Sequence, residues 1–262
     1  MHSMLALYDS EMRVSPPHQV GVRYERANGV LRARGRGTWI WSHNLENADV
    51  DEVVSREAKR FRDLGEEVEW KVYGHDRCTD LPKCLAGHGF VPDEPETLMF
   101  LDLAKWRSPF AAPDGIQIRR VVDARGLRDL VAVMSEAFGD LDPGMFDELQ
   151  ATCLTDDPSV FGYVAYANDR PVGSGRMESP IGYSFASLWG GCILPAFRHR
   201  GILRALVSMR VDDARKRGHY HIAVDAAATS RPILERLGFR PMTTVTGWKL
   251  YAAPREGIDS DV

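Results

Sequence analysis

The stretch Cys192-Ile-Leu-Pro-Ala-Phe-Arg-His-Arg-Gly-Ile-Leu-Arg-Ala-Leu206 constrains the fold of this chain more than any other. An apolar strand stops at Pro195, an arginine-rich turn closes on Gly201, and an amphipathic helix follows with Leu203, Leu206, Val207, Val211 and Ala214 on one face. Arg215, Lys216 and Arg217 fill its last turn and Gly218 can take the left-handed cap, so the helix is expected over residues 198–217. A helix that begins among Arg198, Arg200 and Arg204 gathers open N–H groups, the positive dipole end and three cations at one point. That start suits a phosphate or pyrophosphate. Taken without its surroundings, the same cluster fits a solvated helix start equally well.

The elements around it read as alternating strands and helices. Upstream lie a strand over 116–121 and an amphipathic helix carrying Leu127, Leu130, Val131, Val133, Met134 and Phe138. A break at Asp140-Leu-Asp-Pro143 separates this helix from another over 145–152. Strands over 160–167 and 170–178 flank a turn at Asn168-Asp169, and a strand over 184–194 feeds the central loop. Downstream come a strand over 219–226, a helix over 229–237, Gly238-Phe239, Pro241 and a closing strand over 244–251.

The first half of the chain reads similarly. After Ser15-Pro16-Pro17, short strands flank a turn at Asn28-Gly29, and Trp39-Ile40-Trp41 is another strand. Asp49-x-x-Glu52 forms a capping box for a helix carrying Val53, Val54, Ala58 and Phe61 that stops near Gly65. A strand over 68–73, a helix over 80–86, Gly89-Phe90, Pro92 and a closing strand over 97–103 complete it. The order is that of the second half, which indicates an internal repeat with a linker over 108–115. The first copy has Ser42-His-Asn-Leu-Glu-Asn-Ala-Asp49 where the second has its arginine-rich turn, with neither arginine nor glycine. Cofactor binding is not expected there.

Pro195 followed by Arg198-x-x-Gly201 and Ala205-Leu206-Val207, with Leu234-Glu-Arg-Leu-Gly-Phe239 downstream, resembles the acetyl-coenzyme A loop and closing helix of the GCN5-related N-acetyltransferases. The resemblance covers about residues 116–252. It implies an α/β fold (α+β with a mixed sheet) in two tandem GNAT-like domains: residues 1–107 as a degenerate copy, 108–115 as a linker, and 116–262 as the acetyl-CoA-binding domain. It further implies that the cofactor's pantetheine arm lies along Cys192, Ile193 and Leu194. The pyrophosphate would rest on Arg198, His199, Arg200, Gly201, Ile202, Leu203 and Arg204, with Ser230 on the adenosine side. A helix cap explains Ser230 equally well.

The implied chemistry is direct acetyl transfer in a ternary complex to a primary amine of a small molecule. Many relatives place a tyrosine four residues before the Gly of Gly-Phe as acid for the departing sulfur, and this chain has Leu234 there. Tyr220, Tyr163 and Tyr183 are the substitutes. The strand over 184–194 carries no carboxylate, so Glu178 and Asp225 become the candidate bases. His219 and His221, on one strand face, read as structural residues, and Trp189 and Cys192 as core. The acids Asp140, Asp142, Asp156, Asp157 and Glu178 would suit a cationic acceptor. The alternative reading is a non-catalytic acyl-CoA binding or sensing module; a scaffold of two degenerate repeats is the third.

Composition narrows the rest. A net charge of -4 and a pI near 6.1 leave no general basic footprint for nucleic acid. No apolar run approaches a membrane span, and the amino terminus carries no leader pattern, so a cytoplasmic monomer or homodimer is expected. Four cysteines fit free thiols rather than a disulfide scaffold. His75-x-x-Cys78 with Cys84-x-x-x-His88 has ligand types that suit zinc, but the repeat places Cys84 and His88 on an ordinary helix, and no metal is expected.

Overall fold

The computed structural model describes residues 2–35, 37–107, 110–139 and 141–252. Ser108 and Pro109 of the expected linker, Asp140, and residues 253–262 of the expected second domain lie outside them.

In chain order, α1 (His2–Tyr8) runs into a wider π-type turn over Asp9–Val14. The hairpin β1 (Arg23–Ala27) and β2 (Val30–Arg34) and the strand β3 (Thr38–His43) follow. Next come α2 (Val50–Leu64), β4 (Val68–Tyr73), α3 (Leu81–Gly87), β5 (Val91–Pro92) and β6 (Glu96–Asp102). The second half contains β7 (Ile116–Arg120), α4 (Ala124–Phe138), α5 (Met145–Cys153), β8 (Val160–Ala167), β9 (Arg170–Glu178) and β10 (Phe185–Ile193). It closes with α6 (Ile202–Lys216), β11 (His221–Ala226), α7 (Arg231–Arg236) and β12 (Arg240–Leu250). This is the mixed α/β fold that the pattern predicts.

Local chemistry explains most boundaries. Asn28 and Gly29 both have positive φ (54° and 78°), as do Asn168 and Asp169 (50° and 63°), which is the geometry that closes two-residue hairpins. The Asp49 carboxylate takes the Glu52 N–H at 3.1 Å and Gly65 ends α2 at φ 62°. The start of α6 departs from expectation. Pro195–Phe197 forms a 3-10 turn, and His199 (φ 62°) and Gly201 (φ 83°) are left-handed, so the helix begins at Ile202 and not at 198.

The described residues form two compact units, neither contiguous in sequence. One comprises the described residues of 2–20 and 97–242, with strand order β6-β11-β10-β9-β8-β7. Its α6 face buries Leu206, Val207, Val211 and Ala214 against Tyr163, Val172, Leu188 and Ile222. Its other face packs Leu127, Leu130 and Met134 of α4 and Cys153 of α5 against Val164 and Cys192. The second unit comprises the described residues of 21–96 and 243–252, with order β1-β2-β3-β4-β12 and β5 on β12. Its core gathers Val54, Phe61, Trp70, Leu81, Leu85 and Phe90.

The division expected at 107 and 116 therefore does not coincide with these units. The closing strand of the first half, β6, lies antiparallel to β11, with Leu101 opposite Ile222. The closing strand of the second half pairs with β4, with Trp70 opposite Trp248. Each half thus contributes the last strand of the other's sheet. The amino-terminal stretch also departs from its weak pattern. It belongs to the unit formed mostly by the second half: Tyr8 packs on Phe100 and Phe185 at 5.0 and 5.3 Å, and the Glu11 carboxylate takes the Ser184 N–H and hydroxyl, each at 2.8 Å.

Candidate active site

The site begins with a defect in a strand. β10 and β11 pair in parallel over Phe185–Ser187 and His221–Ala223, and beyond that register β10 has no strand partner on its β11 side among the described residues. On its other side β10 pairs with β9 until a bulge, where Trp189 faces Arg176 and Cys192 faces Ser174. Gly190, inside the bulge, has φ 57°, a backbone state that favours glycine. Parting and bulge together open the sheet where the chain then turns into the loop before α6.

At the mouth of this opening stands the amino terminus of α6. The first helical N–H bonded back is that of Ala205, to the Gly201 carbonyl at 3.2 Å, so the N–H groups of Ile202, Leu203 and Arg204 are those a helix leaves open. No acid occupies the first turn and no side chain caps it. A Cβ on Gly201 would meet nothing closer than 3.6 Å, so glycine is needed here for its positive φ. A cavity of about 760 Å³ extends from this terminus along β10. Its wall is formed by Gly191 to Ile193, the loop, the first turn of α6, residues of α7, and Ala137 and Phe138 at the end of α4. Among the described residues Arg198, Arg204 and Arg236 line it and no carboxylate does. Its size suits a ligand of several hundred daltons and its charge suits an anion.

Of the residues expected to hold a cofactor, Cys192, Ile193, Arg198, His199, Gly201, Ile202, Leu203, Arg204 and Ser230 line the cavity. Leu194 does not; it is buried among the side chains of α4 and α5. Arg200 does not either, its guanidinium lying over the Phe197 ring at 5.5 Å. Arg198 has a structural bond as well, from Nε to the Ile193 carbonyl at 3.0 Å, which ties the loop to β10. The Ser230 hydroxyl donates to the Ala227 carbonyl at 3.1 Å and makes no capping bond. Burial raises the pKa of the Cys192 thiol, which sits 3.2 Å from the Ser174 hydroxyl.

Sequence reasoning missed the far wall. Thr229, just ahead of α7, and Pro232, Ile233 and Arg236 within it all line the cavity, and their three- and four-residue spacing could have grouped them on one face. It also missed Arg210, which is 2% exposed on the buried face of α6. Its Nε donates to the Leu206 carbonyl and its Nη1 to the Arg176 carbonyl, both at 3.1 Å, and burial lowers its pKa to about 10, still protonated at neutral pH. A Cβ at Gly175 would come within 2.8 Å of this guanidinium and one at Gly191 within 3.5 Å. The glycines of β9 and β10 were its signal.

The three candidate acid–base residues all lie outside the cavity lining. Glu178 ends β9 opposite Ser187, and its Oε2 accepts from the Ser187 hydroxyl and from Gln19 Nε2, each at 3.4 Å. Trp189 Nε1 donates to Ser187 Oγ at 2.9 Å, so Trp189 has a polar partner in addition to its packing. Asp225 is half-buried on β11 opposite Leu98. Tyr220 is 68% exposed ahead of β11. Tyr163 is fully buried with its hydroxyl on Asp213 at 2.9 Å, and burial pushes its pKa well above the usual phenol range. The Tyr183 hydroxyl donates to the Ser15 carbonyl at 3.3 Å. Leu234 is buried in the core.

His219 and His221 do not share a strand face, because β11 starts only at His221. His219 is buried between Ser179 Oγ (2.7 Å) and the Tyr183 carbonyl (3.0 Å), and burial lowers its pKa. Burial also lowers that of His221, whose ring lies 5.0 Å from Phe185. In the other unit His88 Nε2 lies 2.9 Å from Asp51 and Cys78 and Cys84 pack against the core. Among the described residues no group of three or more His, Cys, Asp or Glu side chains could hold a metal. No helix among them is long and apolar enough to cross a membrane.

Residues 127–239 match the family model described as the acetyltransferase (GNAT) family. A comparison with curated protein sequences finds no match. Among solved structures, a GCN5-related N-acetyltransferase from Kribbella flavida superposes with a TM-score of 0.68 at 14% identity, over 87% of this chain and 89% of that one. One from Sphaerobacter thermophilus gives 0.64 at 18% identity, over 91% and 78%. A tandem GNAT protein from the clavulanic acid biosynthesis pathway, solved without AcCoA, gives 0.60 at 13% identity, over 91% and 86%. At these identities the likeness is one of fold.

Proposed function

We propose that the chain is an acyltransferase of the family its residues 127–239 match, moving an acetyl group from acetyl-CoA to a primary amine of a small molecule by direct transfer. One observation carries this reading. The open amino terminus of α6 borders a cavity of about 760 Å³ lined, among the described residues, by Arg198, Arg204 and Arg236 and by no carboxylate. A linear, polyanionic, amide-bearing cosubstrate fits that description. The loop and first-turn N–H groups would hold its pyrophosphate, with Gly201 preserving the left-handed turn that presents them. The β10 edge at Gly191–Ile193, released from β11, would take the amides of its arm as an added strand does.

Acetyl-CoA would supply the acetyl thioester. Backbone N–H groups at the β10 bulge would polarise its carbonyl. Glu178, already holding hydroxyl and amide donors, would take the proton an ammonium must lose before its lone pair forms the new N–C bond, with Asp225 as the other candidate. As that bond forms the nitrogen gives up its second proton and the C–S bond breaks, and the departing thiolate, whose conjugate acid titrates near ~8.5 in model compounds, can take that proton through water. No tyrosine is needed at Leu234. Residues 1–107 would be a copy without a cofactor loop. We read the protein as acting in the cytoplasm without nucleic acid or membrane, as a monomer or homodimer.

Calorimetric titration with acetyl-CoA tests the reading. Saturable binding at one site per chain is expected, and Gly201→Glu should abolish it by straining the turn and placing an acid at the anion site. Absence of binding to the wild type would sink the proposal. A non-catalytic acyl-CoA module is the second reading, favoured by the distance of Glu178, Asp225 and Tyr220 from the cavity lining. Binding without release of coenzyme thiol in the presence of any amine would establish it.

A further inference from the structure

Arg176 stands on the rung of β9 opposite Trp189, the last pair before the bulge. Its Nε is buried and meets no hydrogen-bond acceptor among the described residues. A guanidinium stripped of water at one donor and given nothing in exchange is a cost to the fold. The Nε atoms of Arg13 and Arg60 are placed similarly, but those side chains reach the Asp9 and Glu25 carboxylates through Nη1 and Nη2, each at 2.9 Å. Arg32 is held by the Glu57 carboxylate, its Nε at 2.6 Å, and Arg210 donates to two main-chain carbonyls. The charge of Arg176 reaches the Cys153 thiol on α5, where it opposes the effect of burial.

The location makes the vacancy useful. A Cβ at Gly190 would lie 3.5 Å from Arg176 Nε and 3.6 Å from the Met134 methyl, which places the bulge directly against this guanidinium. The next two residues, Gly191 and Cys192, line the cavity. Arg176 thus borders the inner end of the cosubstrate site, on the face of the sheet covered by α4 and α5. Glu178 is two residues along the same regular strand, hence on the same face, at a Cα separation of roughly 7 Å. An anion-seeking and a cation-seeking side chain therefore stand side by side beside the bulge.

We propose that the acceptor is an amine that also carries a carboxylate, an amino-acid-type molecule whose carboxylate is bound by Arg176 while Glu178 receives its ammonium group. This rests on the acetyltransferase reading and narrows its acceptor class. A planar guanidinium fork matches a carboxylate, and the neighbouring Glu178 disfavours a dianionic phosphate in the same place. The pairing also replaces the expectation of a purely cationic acceptor, drawn from acids in the loops. Of those, Asp142 is engaged with the Gly144 N–H at 3.0 Å and Asp157 lies 3.9 Å from Arg217.

The test uses the full chain and matched probes: free L-amino acids, the carboxamide of each, and O-phosphoethanolamine. Thermal unfolding reads binding without turnover, and thiol release from acetyl-CoA reads transfer. At least one amino acid should raise the unfolding midpoint of the wild type and be acetylated at least about tenfold more efficiently than its carboxamide. Arg176→Met should erase both effects and leave acetyl-CoA titration unchanged, with no fall in the ligand-free midpoint; Arg176→Lys should fall between. Equal use of acid and amide, survival of the preference in Arg176→Met, a stronger response to O-phosphoethanolamine, or no response to any probe would each overturn the proposal. If acetyl-CoA failed to bind but amino acids still stabilised the protein through Arg176, the transferase reading alone would fall.

Discussion

The two crossovers β3-α2-β4 and β10-α6-β11 are nearly the same object folded twice. In each, a parallel pair of strands is joined through a helix of 15 residues, and in each the first strand carries an irregularity against its antiparallel neighbour. They differ at the helix entrance. At α2 the Asp49 carboxylate occupies the terminus and Asp51 and Glu52 follow in the first turn. At α6 a left-handed glycine turns the chain, no side chain caps it, and arginines stand around it. One terminus answers its own unpaired N–H groups and the other presents them. Binding capacity in this architecture therefore depends on what the chain declines to satisfy, while the architecture itself is indifferent to the choice.

The contrast extends to the charges beneath the strands. Arg32 and Glu57 form a buried pair, whereas Arg176 keeps a buried donor unanswered. Breaking the pair should produce the largest effect. Glu57→Gln strands a buried guanidinium and should cost about 3–5 kcal/mol, seen as a lower urea midpoint. That is a large part of the stability of an ordinary domain. A loss well under 1 kcal/mol would mean that the two arginines are not the opposites described. Next in size, Gly201→Ala forces a side chain into a left-handed turn and should cost about 1–3 kcal/mol in the same experiment. Asp49→Ala removes a side-chain cap and should cost about 1 kcal/mol. If the last two exchanged rank, the entrance of α6 would be less dependent on backbone conformation than its φ implies.

Local elements were legible because their causes are local. The Asn28-Gly29 and Asn168-Asp169 turns, the Asp49 cap and the helical face of α6 each follow from residues within a few positions of one another. The position of the cavity was legible for the same reason, since strand, turn and helix are consecutive. Its far wall was not, because α7 reaches the cavity through tertiary packing. Arg210 was hidden by the assumption that a charge on a helix faces water, and only a close approach by Gly175 and Gly191 makes room for it. The amino-terminal segment gave no periodicity, and its placement rests on contacts with residues far along the chain, such as Glu11 with Ser184. The helix start at 202 was lost to two left-handed residues, one of them His199, which composition does not mark as a turn former.

The crossing of the closing strands sets a schedule for biosynthesis. When the ribosome has delivered the first half of the chain, the sheet holding β4 still lacks the strand that brings Trp248 opposite Trp70. The strand already made, β6, has no Ile222 to meet Leu101. Two open strand edges must wait through the synthesis of everything between, and such edges are sticky. Neither half can be cut out and expected to fold as a self-sufficient module. A nascent chain arrested after residue 107 would be a substrate for chaperones, and the two edges close only as β11 and then β12 are made.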